Sequence, residues 1–479
     1  MANFFKVSTK KPVNAQDKQK LTVKVDRLDL NGCGVAYCKN KPVFINGTLP
    51  NENVEIKLIE QKNKYALGKL LAINKASKSR VTAKCQHFTL CGGCDLQHLD
   101  YSQQLNFKQN KIIELFSRSG IAANVLKELA WQEPIMSLQW HYRRKARIGV
   151  QFDKKSQATI GFRQKATNQL VAVKSCPVLV EPADNIFPLL KELITKLSVK
   201  KSIGHIEVIC TDIPHLENSL IDKSNESPKK LTLIVRQIRA INEHDRKLWQ
   251  EYADDNNWHI YFQEDESSKN ELKNKDNDSA CVDNDLNYRL VDDIQINFSN
   301  TDFIQINQQV NLAMVKQAIA WLMPEPDDHI LDLFCGLGNF SLPLANKVSR
   351  VIGVEGVQSM VDKATANAAF NNIDNCSFFQ ADLNSQWLTN ESSNKESKKW
   401  AKSKFTKVLL DPARAGAELA IEQVIKLDIP VALYVSCEPT TLARDTQLLL
   451  LNGYKIKKIG LIDMFSQTKH VETMVLFSK

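Results

Sequence analysis

A predicted strand that runs into a glycine-rich turn constrains the fold of this 479-residue chain more than any other feature. Residues 330–339 read Ile-Leu-Asp-Leu-Phe-Cys-Gly-Leu-Gly-Asn. Gly336 and Gly338 let the backbone approach a ligand closely, at the carboxyl edge where open α/β sheets bind cofactors. The spacing differs from the G-x-G-x-x-G of dinucleotide binders, because Phe340 and Ser341 stand where the third glycine is expected. The loop alone does not identify its ligand.

Acidic residues mark the ends of the next predicted strands. Glu355, Asp382 and Asp411 each follow such a strand in succession. A carboxylate at Glu355 can accept both ribose hydroxyls of an adenosine ligand, and Asp382 can face an adenine edge. The alternative is that each acid only caps a helix at a strand-to-helix turn. The succession predicts an α/β, Rossmann-like methyltransferase domain over residues 301–479.

The first 80 residues predict a small barrel behind a basic tail. Residues 1–20 hold five lysines and no apolar stretch of the signal-peptide type, which indicates a flexible tail in a cytoplasmic protein. Five short strands with Asn-Gly turns are predicted over residues 21–80, which indicates an OB-like β-barrel. Residues 21–84 carry twelve Lys and Arg against five Asp and Glu, most of the net charge of +9. This basic segment resembles the TRAM domain of RNA-modifying enzymes, although a barrel without a ligand is the alternative.

The middle of the chain, residues 81–300, predicts a mixed α+β domain with a cysteine cluster. Cys85, Cys91 and Cys94 lie within ten residues, and Cys176 can supply a fourth thiolate. Eleven cysteines without a secretory signal favour reduced thiols over a disulfide framework. Four thiolates suit zinc or a [4Fe–4S] cluster, and their spacing does not choose between the two. Packing of the cysteines without a metal is the remaining alternative.

A basic and aromatic segment lies in the same region. Residues 140–147 read Trp-His-Tyr-Arg-Arg-Lys-Ala-Arg. Aromatic rings can stack on unstacked bases while Arg and Lys hold phosphates, so the segment is a candidate for RNA contact. A strand with one charged face explains it equally well. Almost wholly polar tracts over residues 264–285 and 390–404 predict loops.

Taken together, these motifs resemble those of the RNA 5-methyluridine methyltransferases. The resemblance covers residues 21–479 and rests on Cys85-x5-Cys91-Gly-Gly-Cys94, Phe303-Ile-Gln305, Asp332-Leu-Phe-Cys-Gly336, Asp411-Pro-Ala-Arg-Ala-Gly416, Ser436-Cys437 through Asp445, and Asp463-Met-Phe465 through Glu472. It implies that S-adenosylmethionine is bound by Gln305, Phe334, Asn339, Glu355, Asp382 and Asp411. It also implies an iron–sulfur cluster rather than zinc, and a monomer that acts on 23S ribosomal RNA.

Two residues near the end of the domain are the candidates for the chemistry. Cys437 follows the fifth predicted strand, so its thiol would project over the edge that carries the glycine loop. A thiolate that adds to C6 of uracil makes C5 nucleophilic, and it can leave later. Glu472 is the candidate base for the C5 proton. Glu438, beside the thiol, would raise the pKa of Cys437 if its carboxylate pointed inward.

Several other classes share parts of this pattern. RNA 5-methylcytosine enzymes have a second cysteine beside the fourth-strand proline, whereas Ala413 follows Pro412 here. The tRNA uracil-54 enzymes lack the barrel and the cysteine cluster, but enzymes for uracil 747 or for two ribosomal sites are harder to exclude. A radical enzyme with a TRAM domain would need the spacing C-x3-C-x2-C, whereas the cysteines here have the spacing C-x5-C-x2-C. A non-catalytic iron–sulfur protein that binds RNA would not need Cys437 together with Glu472. No apolar run approaches a membrane span, which requires roughly 18 residues.

Overall fold

The described chain divides into two compact units. The computed structural model describes residues 20–211, 231–264, 286–386, 400 and 403–479. The first unit comprises Met1–Thr89, Cys94–Phe107 and Gln467–Lys469, and the second comprises Leu90–Gly93, Lys108–Ser466 and His470–Lys479. The tail predicted over residues 1–20, apart from Lys20, and most of the two polar tracts lie outside the described residues.

The first unit contains a closed five-stranded barrel in the order β1-β2-β3-β5-β4. The strands are β1 (Lys20–Leu28), β2 (Gly34–Cys38), β3 (Lys41–Ile45), β4 (Asn53–Gln61) and β5 (Ala66–Lys75). Antiparallel pairing of β1 with β4 closes the barrel. Alternate residues point inward, so that Val54 and Ile56 of β4 join a buried apolar cluster. The predicted five-stranded barrel is confirmed.

A buried carboxylate joins the barrel to the segment that follows it. Glu52, in the turn before β4, is wholly buried and accepts hydrogen bonds from the backbone N–H groups of Leu49 (2.8 Å) and Ser77 (3.2 Å). Arg80 donates through Nε to one carboxylate oxygen (2.5 Å) and through a terminal nitrogen to the other (2.9 Å). Burial opposes the charge, but the Arg80 and backbone hydrogen bonds outweigh it and lower the pKa of Glu52. The carboxylate is therefore fully satisfied by hydrogen bonds.

The second unit contains an eight-stranded sheet in the order β17-β16-β15-β18-β19-β21-β20-β6. Its strands are β6 (Trp131–Ile135), β15 (His329–Leu333), β16 (Arg350–Glu355), β17 (Cys376–Gln380), β18 (Lys407–Leu410), β19 (Val431–Ser436), β20 (Lys455–Ile462) and β21 (Glu472–Ser478). The first five strands in this order are parallel, and β21 lies antiparallel between β19 and β20. The order reverses at β15 and β18, which is where such sheets bind ligands.

Most strands of the predicted central region, residues 81–300, form a second sheet in this unit. Its order is β12-β11-β10-β7-β8-β9, with strands β7 (Lys145–Phe152), β8 (Ala158–Arg163), β9 (Leu170–Ala172), β10 (Ile203–Cys210), β11 (Leu231–Gln237) and β12 (Trp258–Glu264). A two-stranded ribbon, β13 (Asn287–Arg289) and β14 (Gln295–Asn297), follows. The mixed α and β character of this region agrees with the sequence pattern.

Helices connect and cover these sheets. They are α1 (Tyr101–Arg118), α2 (Ala123–Lys127), α3 (Ile186–Lys196), α4 (Glu243–Asn256), α5 (Gln308–Leu322), α6 (Ser341–Ala345), α7 (Gln358–Phe370), α8 (Glu418–Lys426) and α9 (Pro439–Leu451). The helix α1 is continuous, with Tyr101–Phe107 in the first unit and Lys108–Arg118 in the second. Within the described ranges, no helix is both long and apolar enough to cross a membrane.

Candidate active site

The loop after β15 has the backbone conformation of a ligand-binding turn. Phe334, Gly336 and Gly338 all have positive φ, at 65°, 55° and 93°. A side chain at Gly338 would also place its Cβ 3.0 Å from Leu342 in α6, so that only glycine fits here. Phe334 is a bulky residue in the left-handed region, and such strain is concentrated at functional sites. Its N–H donates to Val354 O of the next strand (2.9 Å), which holds the turn.

Glu355 ends β16 and Asp382 follows β17, but their carboxylates accept hydrogen bonds from different parts of the chain. The Glu355 carboxylate accepts from Gly336 N (3.1 Å) in the loop and from Gly356 N (2.8 Å) beyond β16. It therefore links two strand ends, which a simple helix cap would not do. Asp382 accepts from Asn384 N (3.0 Å) in a local turn. Both carboxylates lie at the carboxyl edge of the sheet, as the sequence predicts.

The amide of Asn339 is paired with a residue that sequence reasoning missed. Asn339 and Asn311, which is buried in α5, exchange two side-chain hydrogen bonds of 3.0 Å each. The Tyr288 hydroxyl adds a third bond to Asn339 Oδ1 (3.2 Å). Gln305 is half-buried, and its carbonyl oxygen accepts from Arg144 Nε (2.9 Å). The helix α5 and the ribbon thus hold the far side of the glycine loop.

Two carboxyl groups lie beneath this loop. Asp332, at the end of β15, accepts from Ser341 Oγ (2.5 Å) through one oxygen, while its buried Oδ1 has no hydrogen-bond partner among the described residues. Burial, reinforced by the charges of Asp411 and Glu355, raises the pKa of Asp332 to about 7. Burial likewise raises the pKa of Asp411, just beyond β18, to about 7. The loop therefore rests on carboxyl groups that titrate near neutrality.

Strand register brings Cys437 and Glu472 together. In the antiparallel pair of β19 and β21, Val435 lies opposite Met474 and Ser436 lies opposite Thr473. Cys437 directly follows β19 and Glu472 is the first residue of β21, so each is the next residue beyond the Ser436–Thr473 pair, and the Glu472 charge acts on the Cys437 thiol. Glu472 is 5% exposed, and its Oε2 has no hydrogen-bond partner within the described chain. The two predicted reacting residues are therefore neighbours at the edge that carries the glycine loop.

Both groups are held in their uncharged forms by this environment. Burial, followed by the charges of Glu472 and Asp411, raises the pKa of the Cys437 thiol to about 11, and Arg414 opposes the rise. Burial and then Asp411 raise the pKa of Glu472 to about 8. Glu438 is not a cause of the thiol shift, because its carboxylate accepts from Thr440 N (3.2 Å) and caps α9.

A buried acid in α9 holds the loop that carries Asp411. Asp445 Oδ2 accepts from Ala417 N (2.7 Å) and from the Tyr434 hydroxyl (2.7 Å). Its other oxygen accepts from Arg444, whose guanidinium also reaches Ala415 O (3.2 Å). Asp445 therefore fixes the segment between β18 and α8 to the strand that precedes Cys437.

A buried cation near Glu472 was also missed by sequence reasoning. Lys108, in α1, donates to Asp463 Oδ1 (2.5 Å) and to Phe465 O (3.0 Å). The Lys108 side chain is 1% exposed and that of Asp463 is fully buried. Lys108 lowers the pKa of Glu472, and Asp463 raises it.

The four cysteines predicted as metal ligands fall in both units. Cys85 and Cys94 belong to the first unit, and Cys91 and Cys176 belong to the second. None forms a disulfide. No group of three or more metal-ligating side chains is found in the part of the chain that the structure describes. The donor set itself, four cysteine sulfurs, has the chemistry that an iron–sulfur cluster requires.

The strand order, the glycine loop and the acidic strand ends define the class of Rossmann-like methyltransferases. A model of the tRNA (uracil-5-)-methyltransferase family matches residues 100–479, and a TRAM domain model matches residues 15–71. The chain therefore belongs to the tRNA (uracil-5-)-methyltransferase family, and the resemblance inferred from the sequence is confirmed.

Curated relatives match over the whole chain. The 23S rRNA (uracil(1939)-C(5))-methyltransferase RlmD of Colwellia psychrerythraea is 55% identical, over 100% of this chain and 99% of the relative. The protein of the same name from Psychromonas ingrahamii is 41% identical over 100% of both chains. The crystal structure of Pyrococcus abyssi tRNA (uracil-54, C5)-methyltransferase in complex with S-adenosyl-L-homocysteine shares the fold. Its TM-score is 0.68 at 21% identity, over 95% of this chain and 100% of that one.

Proposed function

We propose that this chain transfers a methyl group from S-adenosylmethionine to C5 of uracil 1939 in 23S ribosomal RNA. The 55% identity to an enzyme named for that reaction supports the substrate. The observation that supports the chemistry is the pairing of β19 with β21, since Cys437 directly follows β19 and Glu472 begins β21 at the sheet edge that carries the glycine loop. A half-buried thiol near a buried, unsatisfied carboxyl group is suited to covalent catalysis with general-base assistance.

The residues at the carboxyl edge fit S-adenosylmethionine. We assign its binding to Gln305, Phe334, Asn339, Glu355, Asp382 and Asp411. The cofactor supplies an electrophilic methyl group on a positively charged sulfur. A positive charge at this position would favour the ionised forms of Asp332 and Asp411, whose pKa values are about 7 in the free chain. The positive-φ turn at Gly336 and Gly338 lets the backbone approach the ligand.

Cys437 acts first in the proposed mechanism. Its thiolate sulfur forms a bond to C6 of the uracil, and the C5–C6 electron pair moves into the ring as an enolate. The C5 electron pair would then form a bond to the methyl group of bound S-adenosylmethionine, and the electrons of the broken methyl–sulfur bond would stay on the sulfur of S-adenosylhomocysteine. Because the thiol pKa is about 11, only a small fraction is thiolate at neutral pH in the free chain, so that addition should become faster as the pH rises.

Glu472 acts last. Its carboxylate removes the proton from C5, the electron pair restores the C5–C6 double bond, and the bond from C6 to sulfur breaks to release the thiolate. A base works best when its pKa lies near the operating pH. The pKa of Glu472, raised by burial to about 8, meets that requirement, whereas an exposed glutamate would be a much weaker base.

The order in which the two residues act gives the test. Cys437→Ala should form neither methylated RNA nor a covalent complex, even where both substrates bind. Glu472→Gln keeps the size of the side chain but loses the base, so the enzyme should methylate once and stall. The measurement is a denaturant-resistant protein–RNA adduct that carries a tritiated methyl group, formed on unmethylated 23S ribosomal RNA.

The double variant of Cys437→Ala with Glu472→Gln is the matched control and should form no adduct. Turnover of Glu472→Gln at the wild-type rate without an adduct would assign the base to another group. An adduct that persists without Cys437 would overturn the assignment of the nucleophile. Methyl transfer to a uracil other than 1939 would overturn the substrate while leaving the chemistry in place.

We further propose that Cys85, Cys91, Cys94 and Cys176 hold a [4Fe–4S] cluster. The donor chemistry supports this assignment, since cysteine thiolates are the usual ligands of such clusters. The cluster would serve folding and RNA docking, because four cysteine ligands leave no iron position open. Anaerobically purified protein should contain about four iron atoms per chain. Stoichiometric zinc without iron would refute the cluster.

The barrel is assigned to RNA binding, with residues 1–20, 21–80, 81–300 and 301–479 as the functional divisions. Replacement of three exposed barrel lysines, Lys24, Lys57 and Lys69, by Gln should reduce the salt dependence of RNA affinity by a slope of about 2. Replacement of Lys191, Lys426 and Lys457, exposed in the second unit, is the matched control. An unchanged slope in the barrel variant would remove the barrel from the RNA interface. The enzyme is assigned to the cytoplasm as a monomer, which light scattering would test.

A further inference from the structure

The Lys108–Asp463 ion pair is unusual because both charges are buried. The side chains are 1% and 0% exposed, and the N–O distance is 2.5 Å. Burying two ions costs several kcal/mol per ion, and the attraction between them often does not recover that cost. A hydrophobic pair of the same volume would serve the core at least as well. A buried pair at this position therefore calls for a role other than stability.

The pair lies on the segment that leads from β20 towards β21. Asp463 directly follows β20, and Ile462, its last residue, is paired in the sheet with Glu472. Asp463 Oδ2 accepts from Ser466 Oγ (2.5 Å), and Lys108 binds Phe465 O. The Tyr142 hydroxyl donates to Ser466 O (2.8 Å). Every one of these bonds fixes Asp463–Ser466, next to the strand that begins with Glu472.

Four charged or ionisable groups surround Glu472. Asp411 faces it from the end of β18, Cys437 from the end of β19, Asp463 from the end of β20, and Lys108 from α1. Lys108 is the one cation that the structure places among these groups in the described part of the chain. Its charge opposes two acids that each favour a protonated Glu472.

We propose that Lys108 is a positioning residue for the base, Glu472. Its ion pair with Asp463 holds the segment before β21, and its positive charge favours loss of the Glu472 proton. This inference rests on the proposed role of Glu472 in C5 deprotonation. Lys108 acts through Glu472 and Asp463, not on the substrate.

The test follows the breakdown of the covalent adduct as a function of pH. The adduct is formed in a single turnover, and the rate constant for its release is measured from pH 6 to pH 9. Lys108→Met removes the cation, so the release profile should move to higher pH by roughly one unit, the scale of one nearby charge. Release at pH 7 should then be about tenfold slower, because the deprotonated fraction of Glu472 falls in proportion.

Charge-cancelling variants separate this role from simple packing. Lys108→Met with Asp463→Asn removes both charges, so its release profile should return to within a few tenths of a pH unit of the wild type. Lys108→Arg keeps the charge and should also keep the wild-type profile. A Lys108→Met profile at the wild-type position would overturn the inference. So would a double variant that is displaced as far as the single one.

The outcomes also distinguish this inference from the proposed function. If Glu472→Gln fails to accumulate a methylated adduct, the assignment of the base fails and the inference fails with it. If the adduct accumulates but the Lys108 variants leave the release profile unchanged, only the role of Lys108 is overturned. Binding of S-adenosylmethionine, measured by calorimetry, should be within about twofold of the wild type in Lys108→Arg, which shows that the second unit is intact.

Discussion

Two buried glutamates, Glu52 in the barrel and Glu472 in the sheet, differ in how their oxygens are satisfied. Glu52 accepts two backbone N–H groups and two bonds from Arg80, and its pKa is lowered. Glu472 leaves Oε2 without a hydrogen-bond partner in the described chain, and burial raises its pKa to about 8. Both side chains are excluded from water, so burial alone does not decide the protonation state. Hydrogen bonding does, and it distinguishes the structural carboxylate of Glu52 from the proposed base, Glu472.

The largest effect is expected from the satisfied carboxylate. Glu52→Gln leaves Arg80 without its charged partner and removes an acceptor from Leu49 N or Ser77 N. Breaking a buried pair of this kind costs about 2–4 kcal/mol where one partner is partly exposed. Hydrogen exchange of barrel amides, followed by mass spectrometry, should show faster opening, while S-adenosylmethionine affinity stays unchanged.

The control for Glu52→Gln is its combination with Arg80→Gln, which removes both charges and should recover part of the protection. Unchanged exchange in the single variant would mean that the carboxylate of Glu52 does not hold the barrel to Ser77 and Arg80.

Replacement of the unsatisfied carboxyl group of Glu472 is expected to change stability in the opposite direction. The folded pKa of Glu472, about 8, lies above its ordinary value of 4.5, so the folded state favours the protonated form. The stability that protonated Glu472 contributes to the folded state is therefore fully present below pH 4.5 and is lost as the pH rises through 8. Glu472→Gln should stabilise the second unit by about 1–3 kcal/mol at pH 8 and by much less at pH 5. Thermal unfolding at the two pH values measures this difference.

Glu472→Asp retains the charge and is the control, since it should show no gain at pH 8. A Glu472→Gln variant that is equally stable relative to wild type at pH 5 and pH 8 would contradict the raised pKa.

The smallest effect is expected at Asp332, whose hydrogen bonding is intermediate between that of Glu52 and that of Glu472. One of its oxygens accepts from Ser341 Oγ, and the other has no hydrogen-bond partner among the described residues. Its pKa is raised to about 7, so the folded state prefers the neutral acid and loses stability as the pH rises from 4 to 7. Asp332→Asn should therefore stabilise the protein by about 1 kcal/mol at pH 8. Ser341→Ala, which removes the one hydrogen bond, should change stability in the opposite direction in the same unfolding assay.

The barrel could be predicted because its signals are local. Asn31-Gly32 and Asn46-Gly47 mark turns, and the strands between them alternate within a few residues. The eight-stranded sheet was predicted less completely. Pairing of β6 with β20 joins residues more than three hundred positions apart, and no local pattern in Trp131–Ile135 predicts this pairing.

The positions of Cys437 and Glu472 could be predicted because each stands beside a strand end, whereas the residues that contact the glycine loop could not. Asn311 and Tyr288 lie in elements that precede the glycine loop, and only the folded chain brings them to Asn339. Lys108 did carry a signal. It lies four residues before Ile112 and eight before Phe116, on the apolar face of α1, where a lysine is out of place unless it has a buried partner.

The position of β21 has a consequence for the time at which the enzyme becomes active during synthesis. This strand emerges from the ribosome after β19 and β20, yet it must insert between them. Until residue 472 has been made, the nascent chain holds the proposed nucleophile, Cys437, without the proposed base, and the strand before Cys437 lacks its neighbour. The insertion of β21 therefore completes the sheet and, in the proposed mechanism, the catalytic pair in one late folding event.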